Sequence, residues 1–310
     1  MYRKADLEIW KGRIDHETDS TYFRYHQVIQ LDTTTPEQGS IGLIGFACDE
    51  GVRRNEGRIG AKEAPLALRK QLASLPWRDQ TKSRTIIDFG DVICNGHDLE
   101  LSQEGLGNKV AEILINGKAI ILGGGHETLY GQYLGVRKAV GPDASIGLLN
   151  IDAHFDMRSY DNGTSSGTMF RQILDEDSNT NYFVCGIQQY GNTTALFNTA
   201  DQYNVQYYLD EQLDSAEFTQ GLTNFMDAQD VLLVTLCMDV LNASEAPGVS
   251  APSPFGLSAI KVRDILRKMV SHQKTVSFSI CEVNPLLDVD NRTAKLGAYF
   301  INEVIINSFK

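Results

Sequence analysis

Several short polar clusters in this sequence each follow directly on an apolar run, and their side chains are of the kinds that bind metal and move protons. Asp152, His154 and Asp156 are spaced i, i+2, i+4, which puts all three on one face of an extended chain. Carboxylate oxygens with imidazole nitrogens form a hard to borderline ligand set, suited to Mn, Fe, Co or Zn and poorly suited to Ca. Alone, Asp-Ala-His-Phe-Asp also describes a solvated strand end. His126 and Asp239 each end another apolar run, as does Glu282, and this convergence favours a shared site. Gly123–Gly125, just before His126, lack the GxGxxG spacing and the Lys and Ser/Thr of a phosphate loop. We read them instead as allowing backbone to come close to a metal. His16, His26, His97 and His272 follow no such pattern and read as surface or internally satisfied.

Rim residues need strands behind them. Apolar, β-branched runs start at Ile41, Thr85, Ala119, Ser145, Tyr182, Val205, Val231 and Thr275, which makes eight candidate strands. Between most of them lie amphipathic stretches of helical length, such as APLALRKQLASL, GNKVAEILING, TLYGQYLGVRKAV and SAIKVRDILRKMV. Strand alternating with helix predicts an α/β fold with one parallel sheet covered on both faces. The alternation never breaks, so residues 1–310 read as a single domain. In such sheets ligands bind beyond the carboxyl ends of the strands, where the polar clusters stand.

Composition narrows the partners. With 28 Lys and Arg against 40 Asp and Glu the net charge is −12, which disfavours phosphate backbones and anionic lipid. No run approaches the roughly 20 apolar residues of a membrane span, and the first residues are too charged for a signal peptide, so a cytoplasmic address is expected. The five cysteines are scattered, odd in number and set in apolar runs, which suits reduced thiols better than a disulfide framework.

GGGHE, NIDAHFDMR, SSGTMFRQ, LCMDVLNASEAPGVSAP and EVNPLLDVDNRTAKL, in this order within residues 41–298, resemble the signature blocks of the ureohydrolase (arginase and agmatinase) superfamily. GVRRNEGRIGA, SSGTMFRQ and APGVSAP are most similar to its formimidoylglutamase branch. The resemblance implies an arginase-like three-layer α/β/α fold with an eight-stranded parallel sheet, and a site for up to two Mn2+. It implies that His126, Asp152, His154, Asp156 and Asp239 ligate metal, with Asp152 bridging, and that Glu282 grips a cationic amidine or guanidine. Asp156 is then the nearest proton shuttle. Where arginases carry a second, histidine shuttle, the matching block reads Ser165-Ser166-Gly167, which implies another substrate or proton route and puts Ser166 among the substrate contacts. Family members commonly assemble, so a homo-oligomer is expected.

Arg53, Arg54 and Arg58 crowd one loop of an acidic chain, and Arg158 and Arg171 flank the metal-type clusters. Arginine binds carboxylates bidentately, so the loop is read as the site for an acidic amidine such as formimidoylglutamate. The alternative is a structural pairing with Asp49, Glu50 or a neighbouring subunit. The family's DxD reads Cys237-Met238-Asp239 here, replacing a bridging carboxylate by a softer thiol. Three readings are open: Cys237 ligates as thiolate, it leaves one metal site weak, or catalysis is lost. The intact remaining set favours a working enzyme with one metal held loosely. The functional alternatives are another guanidine or amidine hydrolase and a non-catalytic member.

Overall fold

The computed structural model describes residues 1–31, 38–78 and 85–308. Its strands are β1 (Tyr2–Arg3), β2 (Gln30–Leu31), β3 (Ser40–Ala47), β4 (Ile86–Ile93), β5 (Gly117–Leu122), β6 (Ile146–Ile151), β7 (Thr180–Ile187), β8 (Gln206–Leu209), β9 (Val231–Cys237) and β10 (Thr275–Cys281). Strands β3 to β10 coincide with the eight apolar runs and form a continuous parallel sheet in the order β4-β3-β5-β10-β9-β6-β7-β8. The expected eight-stranded sheet is corrected at one edge. The two-residue strands β1 and β2 both pair with β4, β1 antiparallel, so the described sheet has ten strands and is mixed.

The inner strands are buried on both faces because helices cover both, and most of their residues are apolar. On β9, Leu232, Val234 and Leu236 pack into one core with the helices Ala64–Ala73, Ala216–Ala228, Ala259–Val270 and Arg292–Asn307. Leu233 points the other way, into a core shared with Thr128–Val140 and Met169–Glu176. Ile44 and Phe46 of β3 face the helix Leu99–Leu114 on that second side. The result is the expected three layers. Truncating a fully buried strand residue such as Leu149 would cost about 2–5 kcal/mol, so these faces also fix strand register. Among the described residues no helix is long and apolar enough to cross a membrane.

Chain order explains where the site must lie. After β5 the chain skips two positions to lay down β6, β7 and β8, and only then returns to fill the gap with β9 and β10. The four middle strands β5, β10, β9 and β6 therefore present their carboxyl ends side by side at the point where strand order reverses.

Candidate metal centre

His126 follows β5 through the glycine triplet. An added Cβ at Gly124 would stand 1.7 Å from the Cys48 carbonyl oxygen, and one at Gly123 would stand 2.7 Å from the Ile280 carbonyl oxygen. The close approach that the glycines permit is thus to the backbone after β3 and at the end of β10, which corrects the expectation of an approach to metal. His126 is buried. Its Nδ1 lies 2.8 Å from Asp156 Oδ2 and 3.0 Å from Asp152 Oδ2, while its backbone N–H donates to Glu282 Oε1 at 3.0 Å.

The segment after β6 alternates as its spacing predicts. Ala153 and Phe155 are fully buried in the core, with Phe155 edge-on to Phe197 and Tyr207, and Asp152, His154 and Asp156 turn to the site. Asp156 departs from extended backbone at φ 50°, so its carboxylate reaches His126 from a left-handed turn. His154 Nδ1 lies 3.5 Å from Asp152 Oδ1 and 3.3 Å from Asp239 Oδ2. Asp239 stands in the short 3-10 turn after β9, and Cys237, the last residue of that strand, is buried. Glu282 follows β10 with φ 67°.

Two groups of donor atoms emerge, each with all its atoms within 4.8 Å of one another: His126, Asp152 and Cys237, and Asp152, His154 and Asp239. Asp152 belongs to both. Asp156 is outside these two sets but touches His126. The electrostatics fit a cation. None of Asp152, Asp156, Asp239 or Glu282 has a Lys or Arg ion-pair partner among the described residues, and the buried Asp239 Oδ1 has no hydrogen-bond partner. Burial and the nearby Asp152 charge push Asp156 up to about 6. Burial, with Glu127 and Asp239 nearby, raises Glu282 well above the usual range. Burial and the surrounding carboxylates likewise raise the Cys237 thiol. Burial opposes charge on both histidines, yet the adjoining carboxylates outweigh it and raise them. A bound divalent ion would take the place of the two imidazole protons against these carboxylates.

A buried polar layer lies one step below. Asn150 and Thr235 stand two residues before Asp152 and Cys237, hence on the same face, and Ser279 is paired in register with Thr235 on the neighbouring strand. Thr235 Oγ1 lies 3.0 Å from His126 Nε2 and accepts from Ser279 Oγ at 2.8 Å. Asn150 Nδ2 donates to Asp152 Oδ2 at 3.2 Å and to the Tyr182 hydroxyl at 3.0 Å. Such contacts fix ring and carboxylate orientation. We did not expect these residues, although a polar residue inside each apolar strand marks them.

The site opens into a cavity of about 150 Å³ whose lining includes His126, His154, Asp156, Ser166, Cys237, Asp239 and Glu282. A wider groove of about 540 Å³ adjoins it through His154, Gly191 and Ala251. Arg53, Arg54 and Arg58, expected as substrate contacts, are not among the residues that line the cavity. Arg53 and Arg54, three and four residues on, both bind the buried Glu50 and hold its carboxyl down at about 2. Arg54 also reaches Glu100 and Thr164. Arg58 donates to the carbonyls of Val249 and Ser250, bracing the loop that walls the cavity. Arg158 is the arginine that lines it. It is exposed, and its guanidinium has no carboxylate partner among the described residues, while its backbone N–H bonds to Gly167 O at 2.8 Å beside Ser166.

A parallel α/β sheet with paired His and Asp donor sets at its switch point is the framework of a metal-dependent hydrolase. The chain belongs to the arginase family, whose model matches residues 39–306. It is 52% identical to a formimidoylglutamase of Lysinibacillus sphaericus, over 99% of this chain and 98% of that one. A solved formimidoylglutamase of Bacillus subtilis shares the fold, with TM-score 0.83 and 22% identity over 93% of this chain and 92% of that one. A Trypanosoma cruzi formiminoglutamase solved with Mn2+ gives TM-score 0.78 and 25% identity, over 87% and 93% of the two chains.

Proposed function

We propose that this chain hydrolyses N-formimidoyl-L-glutamate to L-glutamate and formamide, the activity named for its relatives at about half identity over the full length. Two Mn2+ fit the donor sets: His126, Asp152 and Cys237 would hold one, Asp152, His154 and Asp239 the other, with Asp156 beside His126. When bound, such ions supply Lewis-acid activation of water near neutral pH. The residues do the rest. Glu282 faces the cavity with one oxygen tied to the His126 N–H, and a planar amidinium placed against it restores the carboxylate charge that burial disfavours. Asp156, on the same wall, hands a proton to the departing α-amine. Arg158 and Ser166 receive a substrate carboxylate at the cavity wall. Cytoplasmic location and assembly with further copies are part of the same reading.

The observation that carries the proposal is the pairing of two donor sets through Asp152 with Arg158, which has no carboxylate partner among the described residues, in the cavity lining. The test is a product assay on manganese-loaded protein. Formamide should form from formimidoylglutamate and stop on chelation, with little urea from arginine, agmatine or guanidino acids. Urea from any of these at a greater rate would overturn the substrate assignment.

Cys237 sets the metal requirement. A thiol offers Mn2+ a softer donor than the carboxylate it replaces, so purified protein should carry fewer than two ions per chain and gain activity with added metal. Cys237→Asp should raise occupancy and lower the Mn2+ concentration giving half activity, with substrate preference unchanged. Two tightly held ions in the native protein, measured by elemental analysis, would contradict this.

A further inference from the structure

Cys48 and Cys94, distant in sequence, meet at the carboxyl ends of β3 and β4, beside the metal centre and apart from it. Ala47 and Ile93 are paired in register, and the Cys94 N–H donates to Ala47 O at 3.2 Å, so the two cysteines leave neighbouring strands together. Cys48 is buried in the core containing Phe46, Val92 and Leu99, and Cys94 packs against that core from its partly exposed edge. The register that pairs Ala47 with Ile93 makes Cys48 and Cys94 the next neighbours across the two strand ends.

We propose that Cys48 and Cys94 form a peroxide-oxidisable pair that closes a reversible disulfide. The accessible partner reacts first. The Cys94 thiolate attacks peroxide, forming an S–O bond as O–O breaks, and the released hydroxide takes a proton to become water. The Cys48 thiol then attacks the Cys94 sulfur; S–S forms, S–O breaks, and the hydroxyl leaves with the Cys48 proton as a second water. Two thiols lose two electrons and one peroxide gains them. The adjacent Cys48 thiol brings Cys94 down to about 7, which leaves a large thiolate fraction at neutral pH, while Cys94 and burial push Cys48 up.

The bond would be felt at the cavity. The Cys48 carbonyl accepts from Gly125 N–H at 3.0 Å, and the 1.7 Å to a Cβ at Gly124 leaves no slack between Cys48 and the turn carrying His126. Just beyond Cys48, the helix Glu50–Arg54 contributes Val52, and Asn55 after it, to the cavity lining. Drawing the sulfurs to bonding distance shifts this wall, and turnover should fall severalfold. The disulfide is independent of the hydrolytic reading; only its effect on turnover rests on it.

The experiment treats manganese-loaded protein with hydrogen peroxide, alkylates free thiols and maps digested peptides by mass. A Cys48–Cys94 linked peptide is expected, lost on dithiothreitol and absent in Cys94→Ser. In Cys48→Ala, dimedone should trap a sulfenic acid at Cys94. Both cysteines fully alkylated after peroxide, or Cys94 joined to another cysteine, would overturn the pair. Cys94→Ser should match native turnover before peroxide and lose less afterwards. If the disulfide forms while both proteins lose turnover equally, the coupling to the cavity is overturned.

Discussion

Asp152→Asn is expected to reduce turnover by on the order of a thousandfold, because several kcal/mol of transition-state stabilisation are at stake and each 1.4 kcal/mol is tenfold. The amide keeps the shape of the side chain and removes the one charge common to both donor groups. It also leaves His126 Nδ1 and His154 Nδ1 without the carboxylate that now lies 3.0 and 3.5 Å away. Metal content should fall with activity, below one tightly held ion per chain. Elemental analysis alongside steady-state rates checks both, and an Asp152→Asn variant that holds two ions with turnover within tenfold of native would refute the shared role of Asp152.

Arg158→Ala should lower kcat/KM for formimidoylglutamate by roughly 10- to 100-fold, the range for losing hydrogen bonds between charged groups, mainly through KM. A carboxylate held away from the reacting carbon is bound alike in ground and transition states. Arg53→Ala should leave KM near native, since its guanidinium is spent on Glu50. Comparing the dianionic substrate with an analogue lacking one carboxylate separates the cases. An equal loss for both would show that Arg158 does not bind that group.

The eight core strands were legible because burial on two faces forces unbroken apolar runs, and the polar rim marks where each run leaves the core. Strands β1 and β2 were not, since two residues carry no periodicity and their pairing with β4 is set by tertiary contact. At the site, alternation from Asp152 to Asp156 survived a left-handed turn. Carrying the same alternation one step further reaches Arg158, a signal available in the sequence and given too little weight. The cluster of Arg53 and Arg54 misled because composition shows charge and not partners. Their i+3 and i+4 spacing from Glu50 was the better guide. Thr235, Ser279 and Asn150 were overlooked because one polar residue scarcely alters an apolar run, although burial obliges each to find a partner.

The late insertion of β9 and β10 bears on how this protein is made. Until residues 231–281 emerge, a nascent chain can build only two separate half-sheets, β4-β3-β5 with the short β1 and β2 on β4, and β6-β7-β8. Each has an unsatisfied parallel edge of hydrophobic strand, the type of edge that recruits other chains. The first half-sheet carries His126 and the second carries Asp152, so neither donor group exists before the C-terminal strands dock between them. Synthesis at about 5–20 residues per second leaves those edges open for seconds, and joining them requires contacts far apart in the chain, which form slowly. Metal acquisition is therefore a late event in biogenesis, and chaperone cover of the β5 and β6 edges is most needed while the last quarter of the chain is being synthesised.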